Sequence, residues 1–215
     1  MRRRDYGQYC GLARALELVG ERWALLIVRD LAVRPHRYTD LLEGLPGIPT
    51  NVLSTRLKEL EQSGIIERRI APAPQRGVLY ALTPAGHELE PAIFALGRWG
   101  AVHMGEPRPG EIVTPDSLIM NLRAIFNAEA AAELTASWEI HAPDLVVHLA
   151  VTDGKLEADV GPAPGKPDLV ITFRPDELPS YQELIQAAKC GLVELSGRRD
   201  LLETFLRLFT LPQPA

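Results

Sequence analysis

Between Ile48 and Ile66 the chain reads IPTNVLSTRLKELEQSGII, and two sets of side chains in it obey one period. Leu53, Leu57 and Leu60 recur at steps of four and three, the spacing of the buried side of an α-helix. Asn51, Ser54, Thr55, Lys58 and Glu59 fall on the other side, with Thr50 at the start of the helix. An amide, two hydroxyls and an ammonium group at that spacing can hydrogen-bond the edges of base pairs in a major groove. Arg56 in the same stretch and Arg37 upstream are suited to phosphate oxygens, and Arg76 downstream to a phosphate or a minor groove. The same polar side would also fit an ordinary amphipathic surface helix, so the neighbouring elements decide between the two.

Other reactive groups are few. Cys10 stands at the start of a predicted helix, near Arg14 and downstream of Arg2, Arg3 and Arg4, where the helix dipole and the cations would favour a thiolate. It would serve equally as a half-buried packing residue. His141, Asp144 and His148 are close enough in sequence to suggest metal ligands, but His141 ends one predicted strand and His148 lies inside the next, so the two imidazoles are expected on different faces. No serine occupies a nucleophile elbow, no glycine-rich loop could cradle a phosphate, and Cys190 has no base nearby in sequence. No enzyme, cofactor or metal site is expected. Cys10 and Cys190 lack the paired spacing of a disulfide framework or a zinc site.

The elements around the organising helix form a pattern. Leu12, Leu16 and Val19 share one side of a helix that Gly20 ends, and ERWALLIVRDLAV follows as a nearly all-round apolar helix for the centre of a small domain. Tyr38 to Leu42 makes a short helix with Thr39 or Asp40 near its start, and Leu45-Pro46-Gly47-Ile48-Pro49 is a turn with Ile48 as an apolar plug. After the organising helix, Ile65 to Ile70 and Val78 to Leu82 read as two strands joined by a Pro/Gly tip that holds Arg76 and Gly77. A short helix, a turn, a polar-faced helix and a hairpin make a winged helix-turn-helix that reads DNA. Thr83 as N-cap and Pro84 at the first helical position then open a helix. Its stripe, with Phe94, Trp99 and Val102, exceeds what so small a domain can cover, which predicts a homodimer.

At 215 residues two domains are expected: 1–105, a linker at 106–113 rich in Pro and Gly, and 114–215. The net charge of −5 is divided unevenly. Residues 1–104 hold 14 Lys+Arg against 11 Asp+Glu, and residues 105–215 hold 9 against 17. The first part can carry a local basic face, whereas the acidic second part is ill suited to phosphates. No apolar run approaches the roughly 18 residues of a membrane span, so a cytoplasmic protein is expected. In the second part a helix from Ser117 to Leu134 precedes strands at 137–141, 145–151, 155–160 and 169–173, a helix at about 176–189, a strand at 192–196 and a final helix, an α+β order.

Cys10, the string LELVGERWALLIVRDL, Arg37 to Leu41, PGIPTNVLSTRLKELEQSGIIERR, Tyr80 to Thr83 with Gly86, and Trp99-Gly100 together resemble the HxlR-type winged helix-turn-helix regulators over about residues 9–103. The resemblance implies a homodimeric transcription factor bound to double-stranded operator DNA, with the first and last helices of the domain in the dimer contact. In some members a cysteine matching Cys10 senses oxidants or electrophiles. The chain departs from the family in having Gly11 where Pro often follows that cysteine and Pro49 where a Ser cap is usual. VVHLAVTDGKLEADVG, KPDLVITFRPDEL and CGLVELSGRRDLLETFLRLF are similar to the sterol-carrier-protein-like domain over about residues 114–211. That implies a sheet covered by helices around a tunnel for lipid-like molecules. Phe126, Leu149, Ile171, Leu184, Phe205 and Phe209 are candidates for its lining or plain core residues. The reading is a dimeric DNA-binding regulator, possible target of an apolar effector; the alternatives are a lipid or acyl-ligand carrier dimerised by its N-terminal part and a Cys10-based redox regulator.

Overall fold

The computed structural model describes residues 5–74, 76–105, 108, 110–142, 145–173, 190 and 193–210. The chain divides into two compact units, Met1–Ile93 and Phe94–Ala215. The division falls inside helix α6 (Glu90–His103), upstream of the Pro/Gly-rich stretch at 106–113. Among the described residues no helix is long and apolar enough to cross a membrane.

The first unit is built around helix α2 (Ala24–Val33), whose Ile27, Val28 and Leu31 are buried. Leu26 is 41% exposed, and the helix carries the Arg29–Asp30 ion pair with Asp30 buried, so it is nearly but not wholly apolar and covered only in part. Helix α1 (Gly11–Val19) buries Ala13 and Val19 and leaves Leu12 and Leu16 exposed, although the period places Leu12, Leu16 and Val19 on one side. Helix α3 (Tyr38–Gly44) starts where the Asp40 carboxylate accepts the Arg37 backbone N–H at 2.8 Å. The following turn needs Gly47 at φ +80° and buries Leu45 and Ile48.

Helix α4 (Thr50–Gln62) buries Leu53, Leu57 and Leu60, as its period requires. It ends in a Schellman arrangement: Ile65 N–H donates to the Leu60 carbonyl and Gly64 N–H to the Glu61 carbonyl, both at 3.0 Å, with Gly64 at φ +71°. Strands β1 (Ile66–Ile70) and β2 (Val78–Leu82) pair antiparallel with Ile66 opposite Leu82 and Ile70 opposite Val78. His36 joins the hairpin as a third row, exchanging backbone hydrogen bonds of 2.9 and 2.7 Å with Tyr80. Helix α5 (Pro84–His87) is capped by Thr83, whose Oγ1 accepts Gly86 N–H at 3.1 Å and donates to the Gly64 carbonyl at 2.6 Å. The single helix expected from Pro84 through Gly100 is therefore two, broken by a turn at Glu88 and Leu89; helix α6 buries no residue, and Leu96 and Trp99 are 53% and 66% exposed.

The second unit is a mixed five-stranded sheet in the order β5-β4-β3-β6-β7, formed by β3 (Thr135–Ala142), β4 (Leu145–Thr152), β5 (Lys155–Val160), β6 (Leu169–Phe173) and β7 (Val193–Gly197). Among the described strands only β3 and β6 run parallel. One face is apolar and buried through Trp138, Ile140, Val147, Leu149, Val151, Leu169, Ile171 and Phe173. Helix α7 (Pro115–Ile125) packs against β4 and β5, and helix α8 (Leu201–Leu208) brings the Leu201 carbonyl to the Trp138 indole N–H at 3.3 Å.

Helix α7 is shorter than the expected 117–134. It stops because Phe126 turns extended to pair with Phe209, and the Asn127 N–H bonds the Leu208 carbonyl at 2.9 Å. A single 3-10 turn at Glu129–Ala131 follows, where Asn127 Oδ1 accepts the Ala130 N–H at 3.0 Å. The helix expected at about 176–189 lies outside the described residues.

Candidate nucleic-acid interface

The burial of Leu53, Leu57 and Leu60 leaves the opposite side of α4 outward, and Thr50, Asn51, Ser54 and Lys58 are exposed there. Two hydroxyls are already engaged. Thr55, half-buried, donates from Oγ1 to the Asn51 carbonyl at 2.8 Å, and Ser54 Oγ lies 3.2 Å from the Tyr38 hydroxyl. Tyr38 also donates to the Thr50 carbonyl at 2.8 Å. This tyrosine ties α3 to the first turn of α4, and the sequence marks it only as part of a short helix. With Pro49 in the N-cap position, α4 has no side-chain cap hydrogen bond, and the Val52 N–H turns back to the Pro49 carbonyl at 3.0 Å.

Arg37 and Arg76 come together across 39 positions of sequence. Arg37 Nη1 donates to the Arg76 carbonyl at 2.7 Å, while Arg76 itself is exposed at the hairpin tip. Arg56 lies differently from the expectation. Its side chain is 14% exposed, it meets the Glu59 carboxylate, and its Nη2 is 3.3 Å from Glu21. It therefore occupies a flank of α4 as an internal counter-ion and not the outward side. On that flank Arg22 lies over the Trp23 ring at 5.3 Å, and the two line a recess of about 360 Å³ with Gly47, Pro49, Val52 and Arg56. Trp23 holds φ +80°, a strained conformation for a bulky residue that fixes the entry into α2. A non-glycine residue at positive φ leaves no local signal in sequence.

Cys10 is exposed at the N-cap position of α1. Hydrogen bonds from the backbone N–H groups of Ala13 and Leu12 lower its thiol pKa below the ordinary value. Arg14, expected beside the thiol, instead pairs with Glu17 at 2.5 Å.

In the second unit the register corrects one expectation. His148 stands directly opposite Glu139, and His141 is two residues along the same strand, so the two imidazoles share a face. They meet protein groups there: His141 Nε2 lies 2.6 Å from Glu139 Oε2, and His148 Nδ1 lies 3.1 Å from the Gly161 carbonyl. Glu139, buried, also accepts the Ala163 N–H at 2.9 Å. Among the described residues no group of three His, Cys, Asp or Glu is placed to hold a metal ion, and Asp144 lies outside them.

Leu149, Ile171, Phe205 and Phe209 are buried in one core, with the Phe209 ring 5.7 Å from Phe126 and 4.7 Å from Phe205. Leu184 lies outside the described residues.

Residues 18–107 match the family described as HxlR-like helix-turn-helix. An uncharacterized HTH-type transcriptional regulator of Synechocystis, sll1512, is 35% identical over 97 residues, 45% of this chain and 72% of its own length. The HTH-type transcriptional regulator YodB of Bacillus subtilis is 38% identical over 85 residues, 40% of this chain and 76% of its own. The uncharacterized HTH-type transcriptional regulator Rv3095 of Mycobacterium tuberculosis is 42% identical over 98 residues, 46% of this chain, and the match spans 60% of that relative. With an outward polar helix, a short helix braced to it and a hairpin behind it, the chain belongs to the HxlR-like helix-turn-helix family of transcriptional regulators.

Proposed function

We propose that the protein binds operator DNA as a homodimer through α4 and the β1–β2 wing. The observation that carries this reading is the outward row of Thr50, Asn51, Ser54 and Lys58, braced by Tyr38 and set beside a wing tip that carries Arg76. Asn51 and Lys58 are the free-ended donors for base edges; Ser54 and Thr55 keep acceptor lone pairs for them. Arg76 takes a phosphate or the minor groove. The exposed Leu12 and Leu16 on α1, and Leu96 and Trp99 on α6, support a second copy of the chain as partner.

The second unit we read as a sterol-carrier-like module for an apolar effector, on the strength of its mixed sheet and its cluster of Phe126, Phe205 and Phe209. A lipid carrier that uses its first unit only to dimerise is the rival reading. A gel-shift titration with the region upstream of its own gene separates the two, because a carrier forms no specific complex. Asn51→Ala should cost about 1–3 kcal/mol of binding and relax preference at one base position. Unaltered binding by both Asn51→Ala and Arg76→Ala would refute this docking. Native mass spectrometry of the purified protein reads the dimer and any apolar passenger together.

A redox role for Cys10 has one observation in its favour, an exposed thiol whose pKa is lowered by the N–H groups of α1. Oxidant-driven release of DNA should then vanish in Cys10→Ser, and release that persists removes the role.

A further inference from the structure

The wing tip is held by more than its two strands. Arg37 has its backbone N–H on the Asp40 carboxylate at 2.8 Å, so its main chain is fixed to the first turn of α3. Its guanidinium then crosses to the hairpin, where Nη1 donates to the Arg76 carbonyl at 2.7 Å. Gly77 is next, at φ +123°, and a Cβ on it would stand 2.5 Å from Arg37 Nη1. A side chain there would be strained by the backbone conformation and would push the guanidinium off the Arg76 carbonyl. Below the tip the Ala71 N–H bonds the Gly77 carbonyl at 2.9 Å, and His36 and Tyr80 pair lower still. A two-stranded hairpin is only marginally stable by itself. Its outer end, where Ile70 is 87% exposed, has little packing to fix its direction.

We infer that Arg37 is a positioning residue that latches the wing tip to the helix-turn-helix and sets the distance between Arg76 and the outward side of α4. The inference rests on the DNA-binding reading above. It gives Arg37 a different task from the phosphate contact its charge suggests. The side chain acts on DNA through Arg76, so the two arginines form one functional unit instead of two additive contacts. It also gives Gly77 a role in binding, although that residue offers DNA no side chain.

The test is a mutant cycle on the full chain, with Arg37→Ala, Arg76→Ala, the double variant and Gly77→Ala, read as affinity over a salt series. Each arginine variant should lose about tenfold and flatten the salt slope by about one. The double variant should lose about tenfold, not a hundredfold, because the contacts are coupled. Gly77→Ala, which keeps both charges, should lose a similar factor. Additive losses with a slope lower by about two would mean that Arg37 holds its own phosphate, and would overturn the latch.

Amide exchange of the DNA-free protein tests the latch independently. Arg37→Ala and Gly77→Ala should speed exchange at Ala71 severalfold while Leu57 and Leu60 stay protected. Unchanged exchange at Ala71 overturns the latch whether or not DNA binds, whereas absence of a specific complex for the wild-type protein would count only against the DNA-binding reading.

Discussion

Replacing Arg56 by Ala distinguishes an internal counter-ion from a phosphate contact. In the folded protein the guanidinium meets Glu59 on its own helix and Glu21 at 3.3 Å from the α1–α2 connection, with the side chain only 14% exposed. The two glutamate side chains are about a third exposed, 32% for Glu21 and 33% for Glu59, so water recovers part of their solvation when the cation leaves. Each ion pair then contributes about 0.2–1 kcal/mol after screening. The packed aliphatic stem, roughly two or three methylenes at about 0.8 kcal/mol when fully buried, adds a comparable amount. The loss should total about 2–4 kcal/mol. For a unit of this size that lowers the melting temperature by roughly 4–8 °C per kcal/mol. Thermal unfolding followed by circular dichroism measures it, and a salt series of DNA binding measures the other half. The slope of log K against log salt should stay at the wild-type value. A melting temperature that does not move, together with a slope shallower by about one, would put Arg56 on a phosphate and refute the reasoning.

Gly86→Ala should be more damaging than an ordinary glycine replacement, because a Cβ there would press into the Ile65 carbonyl oxygen, which is backbone and cannot swing aside. Chemical denaturation should show a loss of about 1–3 kcal/mol, and a neutral result would mean that α5 shifts freely. At Glu139 burial pushes the carboxyl pKa up, but hydrogen bonds from His141 and the Ala163 N–H, with the charges of His141 and His148, outweigh it and hold the group below its ordinary value. A depressed carboxylate adds stability above its unfolded pKa, about 4.3, and loses it as pH falls through the folded value. Glu139→Gln should therefore flatten the acid limb of the stability curve below about pH 4.5, and an unaltered limb would remove Glu139 as its source. In the first unit, among the described residues, Arg22, Lys58 and Arg76 are the exposed cations without an ion pair. A dimer with about six such contacts should give a salt slope near −5, and a slope steeper than about −8 would bring in other arginines.

Most of the fold could be read from short-range signals. The period of Leu53, Leu57 and Leu60, the Pro/Gly turn before them and the Thr83-Pro84 start of α5 are local, and each element starts where those residues place it, although the single helix expected from Pro84 onward is broken into α5 and α6. The strands at 145–152, 155–160 and 169–173 announce themselves by alternation. The errors have long-range causes. Helix α7 ends at Ile125 because Phe126 pairs with Phe209, 83 positions away, a choice no property of 117–134 encodes. His141 and His148 share a face because the β3–β4 register sets His148 against Glu139, and register depends on the turn as well as on the alternation of either strand.

The candidate site follows the same division more sharply. Which side of α4 looks outward is settled by three leucines within eight positions, so Asn51, Ser54 and Lys58 could be chosen from the sequence. What each cation does is settled by groups far away. Arg56 is drawn inward by Glu21, 35 positions earlier, and Arg37 is turned toward a carbonyl 39 positions later. Arg68 is partnered by Glu61 at 3.1 Å and Arg69 by Glu67 at 2.7 Å. A count of positive residues therefore overstates the cations available to phosphates. Under the docking proposed above, and with few exposed, unpaired cations among the described residues of the first unit, non-specific attraction would be modest and affinity would depend on holding Asn51, Lys58 and Arg76 in one rigid arrangement. That docking would place unusual weight on two bonds to backbone carbonyls, from the Tyr38 hydroxyl to Thr50 and from the charged Arg37 guanidinium to Arg76.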